Sequence, residues 1–303
     1  LIMDKCAELL PDYLSFVKGL VDSEDLSLNI SRETLQHDGQ LKLIAKTLEK
    51  KIKSELEKML KDEREAYEEF FKAFGIQLKF GIYNDYGAHK ETLRDLLIFR
   101  SSNEKKYVTL KEYVSRMKEG QDSIYYACGE TDEKIDMLPQ TDAVKDKGYE
   151  ILYLSENVDE FALKMLAEYD GKKFVNICDN DLNLDSEDEK KALEEENTAA
   201  KDMFEAMKES IGDKINAVRF TNKLKDHPVC LTSEGGISLE MEKVLNSMPG
   251  AEQNKVKAQL VLEINANHPI AEKLKTLYNE DKDTLGKYAK LLYGEACLIG
   301  GKS

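Results

Sequence analysis

Residues 123–128 read Ser-Ile-Tyr-Tyr-Ala-Cys, a short run of β-branched and aromatic residues that is typical of a buried strand. A second run of this kind, Tyr-Glu-Ile-Leu-Tyr-Leu, occupies residues 149–154. Helical patterns lie beside these runs, over residues 110–117 and 159–169. Strands interleaved with helices predict a small three-layer α/β/α unit with a partly parallel sheet, which we place at residues 75–178.

A long helical pattern precedes this unit. Apolar residues recur at steps of three and four from Leu41 to Met59, and Lys and Glu fill the other faces. No Gly or Pro occurs between Leu41 and Phe74, although Lys61-Asp62 is a point where the helix could break. We therefore expect long connecting helices over residues 36–74, preceded by short mixed elements at residues 1–35.

The remainder of the chain, residues 179–303, predicts an α+β domain. Its first stretch, residues 180–197, carries eight acids against two lysines, a pattern that indicates a solvated linker running into an exposed helix, which we extend to residue 211. Strand patterns follow over residues 215–221, 228–232 and 258–265. The overall class is therefore a combination of α/β and α+β layers.

Composition limits the partners. The chain has 303 residues, with 44 Lys and Arg against 59 Asp and Glu, which gives a net charge of −15. This excess repels phosphate backbones and anionic lipid, so we expect neither a nucleic acid nor a membrane as a partner. The five cysteines show no Cys-x-x-Cys spacing, which favours a reducing, cytoplasmic location.

The usual signatures of catalysis are missing from the sequence. The four histidines are far apart and none lies at metal-ligand spacing from another ligand, so we expect no metal site. Neither a Gly-x-Ser-x-Gly elbow nor a glycine-rich dinucleotide turn occurs. A stand-alone metabolic enzyme is therefore poorly supported.

Arg32 and Gln36 form a candidate anion-binding pair. Ser31 is a good helix cap, which would place Arg32 in the first helical turn and Gln36 one turn later on the same face. A cation there opposes the helix dipole, but free backbone N–H groups and a guanidinium would converge on an anion. Spacing alone leaves open a surface arginine without such a task.

Two apolar sites are candidates for protein binding. A helical stripe after residue 236 carries Ile237, Met241 and Leu245, and methionine suits a surface that accepts varied apolar partners. Phe161 and Met165 lie one turn apart beside two acids. From the spacing alone, ordinary core packing is the more usual meaning of both patterns.

The nine residues 28–36, Leu-Asn-Ile-Ser-Arg-Glu-Thr-Leu-Gln, closely resemble a signature of the ninety-kilodalton heat-shock chaperone family, in its bacterial form. Further matching segments follow in order along the chain, at residues 11–26, 113–117, 124–126, 159–161 and 218–221. The resemblance therefore covers essentially the whole chain.

The resemblance implies a domain assignment. Residues 1–35 would be the end of the large middle subdomain, 36–74 the connecting helices, 75–178 the small middle subdomain and 179–303 the C-terminal dimerisation domain, expected to be truncated at its end. The N-terminal ATPase domain would lie outside this chain. We therefore expect this chain alone to be no enzyme and to bind no cofactor, whereas the full-length protein would use ATP and Mg.

The resemblance also implies site roles and partners. Arg32 and Gln36 match the positions that contact the ATP phosphate from the middle domain. Phe161, where relatives often carry Trp, would contact unfolded client proteins together with Met165, Ile237, Met241 and Leu245. Further implied partners are a second copy in a homodimer and co-chaperones. The alternative is a dimerisation and co-chaperone docking module without client binding of its own.

Overall fold

The computed structural model describes residues 6–22, 39–179 and 182–302. The chain divides into two units: unit 1 comprises Leu1–Ile98, Tyr107–Glu112 and Phe161–Ala167, and unit 2 comprises Phe99–Lys106, Tyr113–Glu160 and Glu168–Ser303. Helices and strands are mixed along the chain, so the mixed α/β class expected from the sequence is confirmed.

Unit 1 is built on two long helices. Helix α1 spans Gly39–Asp62 and helix α2 spans Arg64–Tyr83, followed by the short helix α3 at Lys90–Leu93. The break expected near Lys61-Asp62 lies at Glu63, where φ is −134° and ψ is 56°. The expected end of the helical segment at Phe74 is wrong, because α2 continues to Tyr83.

Helix α2 continues past residue 74 although it contains glycines, because these glycines lie where aromatic side chains pack closely against the helix. A Cβ added at Gly81 would lie 2.6 Å from the Cβ of Tyr13, so the Tyr13 side chain packs directly on the helix backbone. The buried face of α2 includes Tyr67, Phe71 and Leu78. The Tyr67 hydroxyl donates a hydrogen bond to the carbonyl of Leu96. Gly81 therefore serves close approach and does not end the helix.

Unit 2 contains two sheets. In the larger one, the strands that belong mainly to unit 2 lie in the order β1 (Ile98–Ser101), β4 (Ile151–Leu154), β3 (Ser123–Cys128), β6 (Lys172–Asn176) and β5 (Glu168–Tyr169). Strand β3 is parallel to both β4 and β6, whereas β1 and β5 pair antiparallel with their neighbours. The expected partly parallel sheet is confirmed, while the sequence did not reveal β1, β5 or β6.

Short elements complete this part of the chain. Strand β2 spans Tyr107–Thr109, and the helices are α4 (Leu110–Ser115), α5 (Asp132–Asp136), α6 (Gln140–Asp146) and α7 (Asp159–Leu166). Tyr125, Val144 and Ile151 belong to one buried cluster beneath the larger sheet. The packing therefore joins β3 and β4 to α6.

The smaller sheet has the order β7 (Ala217–Thr221), β9 (Gln259–Asn265), β8 (Val229–Glu234). Its central strand β9 is parallel to β7 and antiparallel to β8. Leu260, Leu262 and Ile264 of β9 point into one apolar core, as their alternation predicted. The helices here are α8 (Glu187–Ala199), α9 (Lys201–Ile211), α10 (Leu239–Ser247), α11 (Pro269–Glu280) and α12 (Lys282–Ile299).

The acidic segment forms the exposed helix α8. Ser186 and Glu189 form a reciprocal capping box at its start, and none of its 13 residues, all of which the structure describes, is buried. The single helix expected over residues 187–211 is wrong in one respect, because it divides at Ala200 into α8 and α9.

The other face of β9 holds a buried charge. Glu263 is 1% exposed, and its Oε1 lies 3.4 Å from Arg219 Nη2 and 3.7 Å from Lys223 Nζ. Burial by itself raises the pKa of a carboxyl, but these two cations outweigh it and hold the pKa of Glu263 below its ordinary value. The smaller sheet therefore carries an ionised carboxylate inside the protein.

Three thiols surround one small cavity in unit 2. Cys128, Cys178 and Cys230 line a cavity of about 40 Å³, and burial raises the pKa of each thiol. All five cysteines lie within the described ranges and are free. The raised pKa values favour the protonated, less reactive thiols, and Cys230 is also fully buried, whereas Cys128 and Cys178 are partly exposed.

Gly81→Ala tests the close approach of Tyr13. Alanine is the better helix former, yet we expect this change to destabilise unit 1 by about 1–3 kcal/mol because the new methyl overlaps Tyr13. Gly294→Ala in α12 is the matched control, because nothing lies within 4 Å of its added Cβ, and it should stabilise by about 0.5–1 kcal/mol. Urea unfolding measures the two effects, together with hydrogen exchange of the α2 amides for Gly81→Ala and of the α12 amides for Gly294→Ala. Equal effects of the two changes would contradict the packing.

Candidate functional site

Helix α10 presents a partly exposed apolar stripe. Every residue from Leu239 to Asn246 is half-buried and none is fully buried, while Met248, just beyond the helix, is 45% exposed. Ile237 and Leu239 pack against the core of the smaller sheet. Met241 and Leu245 remain half-exposed, so the stripe is only partly used for packing.

The start of α10 is fixed by a turn and a cap. Gly235 and Gly236 have φ angles of 77° and 84°, in the left-handed region that favours glycine. Ser238 then caps the helix, because its Oγ accepts a hydrogen bond from the Met241 N–H at 3.1 Å. The same hydroxyl donates its proton to the carboxylate of Glu160.

Glu160 is the centre of a buried polar network. Its side chain is 4% exposed, and its Oε1 accepts hydrogen bonds at 3.0 Å from Tyr126 Oη and from Asn176 Nδ2. Burial and the Glu160 carboxylate together raise the pKa of Tyr126 well above its usual range, which keeps this hydroxyl protonated as a donor. The carboxylate therefore ties β3 and β6 to the first turn of α10.

Side chains of α10 also bind the segment that leads into β9. Glu242 Oε2 accepts a hydrogen bond from the Ala258 N–H at 2.7 Å. The Asn246 side chain exchanges two hydrogen bonds with the backbone of Val256, each at 2.8 Å. The helix is thus held at its start, middle and end, so its apolar stripe is presented on a rigid support.

The second predicted apolar site has a different character. Phe161 is 8% exposed, and its ring packs edge-on against Tyr83 with centroids 5.5 Å apart. Met165, one turn further along α7, is half-buried. The client-contact role expected for Phe161 stays a prediction, and its burial restricts that role to states in which this packing opens.

Arg32 and Gln36 lie outside the described residues, so the structure places neither of them. In the part of the chain that is described, no group of three or more His, Cys, Asp or Glu side chains is arranged to hold a metal ion. Within those same ranges, no helix combines the length and apolarity that crossing a bilayer requires.

The chemistry available at α10 is binding. The oxygens of Glu160 already accept from three protein donors, so this carboxylate acts as a structural acceptor. Glu240 and Lys243 of the same helix form an ion pair at 2.7 Å, so charges of both signs accompany the apolar stripe. Sequence reasoning identified the stripe but missed the network, although Ser238 before an apolar helix was a readable capping signal.

Comparison with known proteins now identifies the family. The model of the Hsp90 protein family matches residues 1–303, so the chain belongs to this family. It is 58% identical to the chaperone protein HtpG of Bacillus subtilis over 301 residues, which is 99% of this chain and 48% of that relative. It is 57% identical to HtpG of Clostridium perfringens over 303 residues, covering 100% of this chain and 48% of the relative. The chain thus spans about half the length of the curated relatives it matches.

Ser238→Ala tests how the network holds α10. The change removes a helix cap and one donor to Glu160, and a lost cap costs about 0.5–2 kcal/mol. We expect hydrogen exchange of the α10 amides to quicken accordingly, by about tenfold.

Ser247→Ala is the matched control on the same helix. Ser247 is exposed and its hydroxyl bonds only the Val244 carbonyl among the contacts described, at 2.8 Å, so exchange should change little. Equal exchange in both variants would show that the network does not position the helix.

Proposed function

We propose that this chain is part of an ATP-driven cytoplasmic chaperone that binds unfolded or partly folded proteins and assists their folding. The observation that carries the proposal is the half-exposed stripe of α10, held on a rigid support in a chain of the Hsp90 family. In this proposal client binding uses no chemistry of the chain's own, and ATP with Mg acts elsewhere in the full-length protein.

The client surface is centred on Met241 and Leu245, with Ile237 at its inner edge. Unbranched methionine adapts to apolar side chains of different shapes, which suits clients that share no sequence. Because Glu240 beside the stripe is paired with Lys243, the apolar side chains and not the charges would carry the client contact. Met165 and Phe161, one turn apart on α7, form a second client contact in this proposal, with the Phe161 ring packed against Tyr83.

Met241→Glu with Leu245→Glu tests this surface. Both side chains are half-exposed, so the fold should persist while the added charges oppose apolar contact. We expect the unmodified chain to suppress heat-induced aggregation of a model protein and the double variant to lose most of this effect.

The control is Leu43→Glu with Met137→Glu, which adds the same charge at a leucine and a methionine exposed by 61% and 69% outside α10 and α12. Equal suppression by all three proteins would exclude α10 as the client surface. Melting curves of each variant separate loss of binding from loss of fold.

The proposal gives Arg32 and Gln36 a role toward ATP, based on the family resemblance. A guanidinium close to the γ-phosphate would stabilise the negative charge that develops during phosphoryl transfer. Because arginine and phosphate would belong to different domains, the contact would also couple hydrolysis to domain closure.

Arg32→Ala in the full-length protein should spare ATP binding and lower ATP turnover by about tenfold or more. Arg32→Lys keeps the charge but not the planar donor fork, so it should restore turnover only in part. Steady-state ATPase rates and nucleotide titration measure the two effects, and unchanged turnover in Arg32→Ala would refute the role.

A docking role is the second candidate. Leu291 and Leu298 of α12 are 67% and 83% exposed, an apolar surface suited to a second copy or to a co-chaperone. In that case sedimentation would show concentration-dependent mass for the chain, and the Met241 and Leu245 changes would leave aggregation assays unaffected.

A further inference from the structure

A second concave site lies in unit 2, away from α10. It has a volume of about 300 Å³, within the range typical of small-ligand pockets, and its lining includes Arg116, Lys118, Lys145 and a single carboxylate, Glu150. The whole chain has a net charge of −15, whereas the lining of this pocket carries three cationic side chains and one acidic side chain. The pocket lining therefore differs in sign of charge from the chain as a whole.

Arg116 is held in place by Glu150. Its Nε and Nη2 donate to the two carboxylate oxygens at 3.1 and 2.9 Å, a paired geometry that fixes the guanidinium plane. The Glu150 side chain is 11% exposed and also accepts a hydrogen bond from Ser101. The Glu150 carboxylate is therefore already hydrogen-bonded within the protein. It holds the Arg116 guanidinium in one orientation before a ligand binds.

The two lysines differ in how their charges are balanced. Lys145 Nζ lies 2.5 Å from Asp136 Oδ1, and the hydrogen bonds from Lys145 and Tyr153 hold the pKa of Asp136 well below its usual range. Lys118 forms no ion pair with any of the residues that the structure describes. Its charge is available to a ligand.

The backbone explains how Lys118 reaches the pocket. Gly148 has a φ of 76°, and the position of a Cβ there would be 3.8 Å from Lys118 Cε. The lysine therefore extends across bare glycine backbone. Ser102 also lines the pocket, and its hydroxyl oxygen accepts from the Ile151 N–H at 2.9 Å, so its own proton remains as a hydrogen-bond donor.

We propose that this pocket binds a phosphate group, either as the free ion or as a phosphate monoester. A phosphate dianion offers three or more acceptor oxygens, which suit the Lys118 ammonium, the guanidinium that Glu150 holds in place and the Ser102 hydroxyl. A carboxylate has one charge and two oxygens and leaves one of these donors unsatisfied.

The test titrates the whole chain with inorganic phosphate and, separately, with a phosphoserine peptide, by calorimetry and by NMR of the backbone amides. We expect saturable binding at one site that weakens about tenfold in Lys118→Gln. Lys111→Gln, an exposed lysine outside the pocket lining, is the matched control and should bind like the unmodified chain.

The pH dependence distinguishes phosphate from a carboxylate ligand. A phosphate monoester gains its second charge with a pKa of about 6, so affinity should rise between about pH 5 and 7. Tighter binding of the peptide than of the ion identifies a monoester as the ligand, and the reverse identifies the free ion. Binding that does not saturate, or that is equal in Lys118→Gln and Lys111→Gln, overturns the proposal.

Discussion

The carboxylate of Glu160 is the constraint on which the arrangement of α10 depends. A carboxyl side chain at 4% exposure is costly to bury, and here three hydrogen-bond donors, from Tyr126, Asn176 and Ser238, offset that cost. Removing one donor would leave a buried carboxyl oxygen with fewer hydrogen bonds, so the donors and the acceptor stabilise one another. Because Ser238 is also the helix cap, the same hydroxyl sets where α10 begins.

An apolar surface that is both exposed and rigid needs external support, since it gains little from its own burial. In α10 that support is polar: the Glu160 network at the start and the contacts of Glu242 and Asn246 with the segment before β9. The helix therefore remains ordered without burying Met241 and Leu245. A surface ordered in advance loses little conformational entropy when a partner binds.

Sequence patterns predicted the helices and strands in which buried residues recur at a regular spacing. Strands β3, β4 and β9 are apolar runs, and the core face of β9 followed directly from its alternation. Strand β6 was missed because Lys172 and Lys173 interrupt its apolar pattern. The division at Ala200 and the continuation of α2 past Gly75 depend on tertiary packing, which overrides local glycine and alanine preferences. The stripe of the candidate site was readable, but the donors to Glu160 lie 34, 16 and 78 residues away, beyond any local spacing rule.

The thiols around the small cavity of unit 2 make opening of that unit's interior measurable. The chain contains no tryptophan, so its intrinsic fluorescence comes from tyrosines spread over both units. Cys128, Cys178 and Cys230 instead line one cavity, where burial raises the pKa of each thiol, but only Cys230 is fully buried, at 2% exposure. The rate at which an alkylating reagent labels Cys230 therefore reports how often the interior of unit 2 opens, separately from events in unit 1.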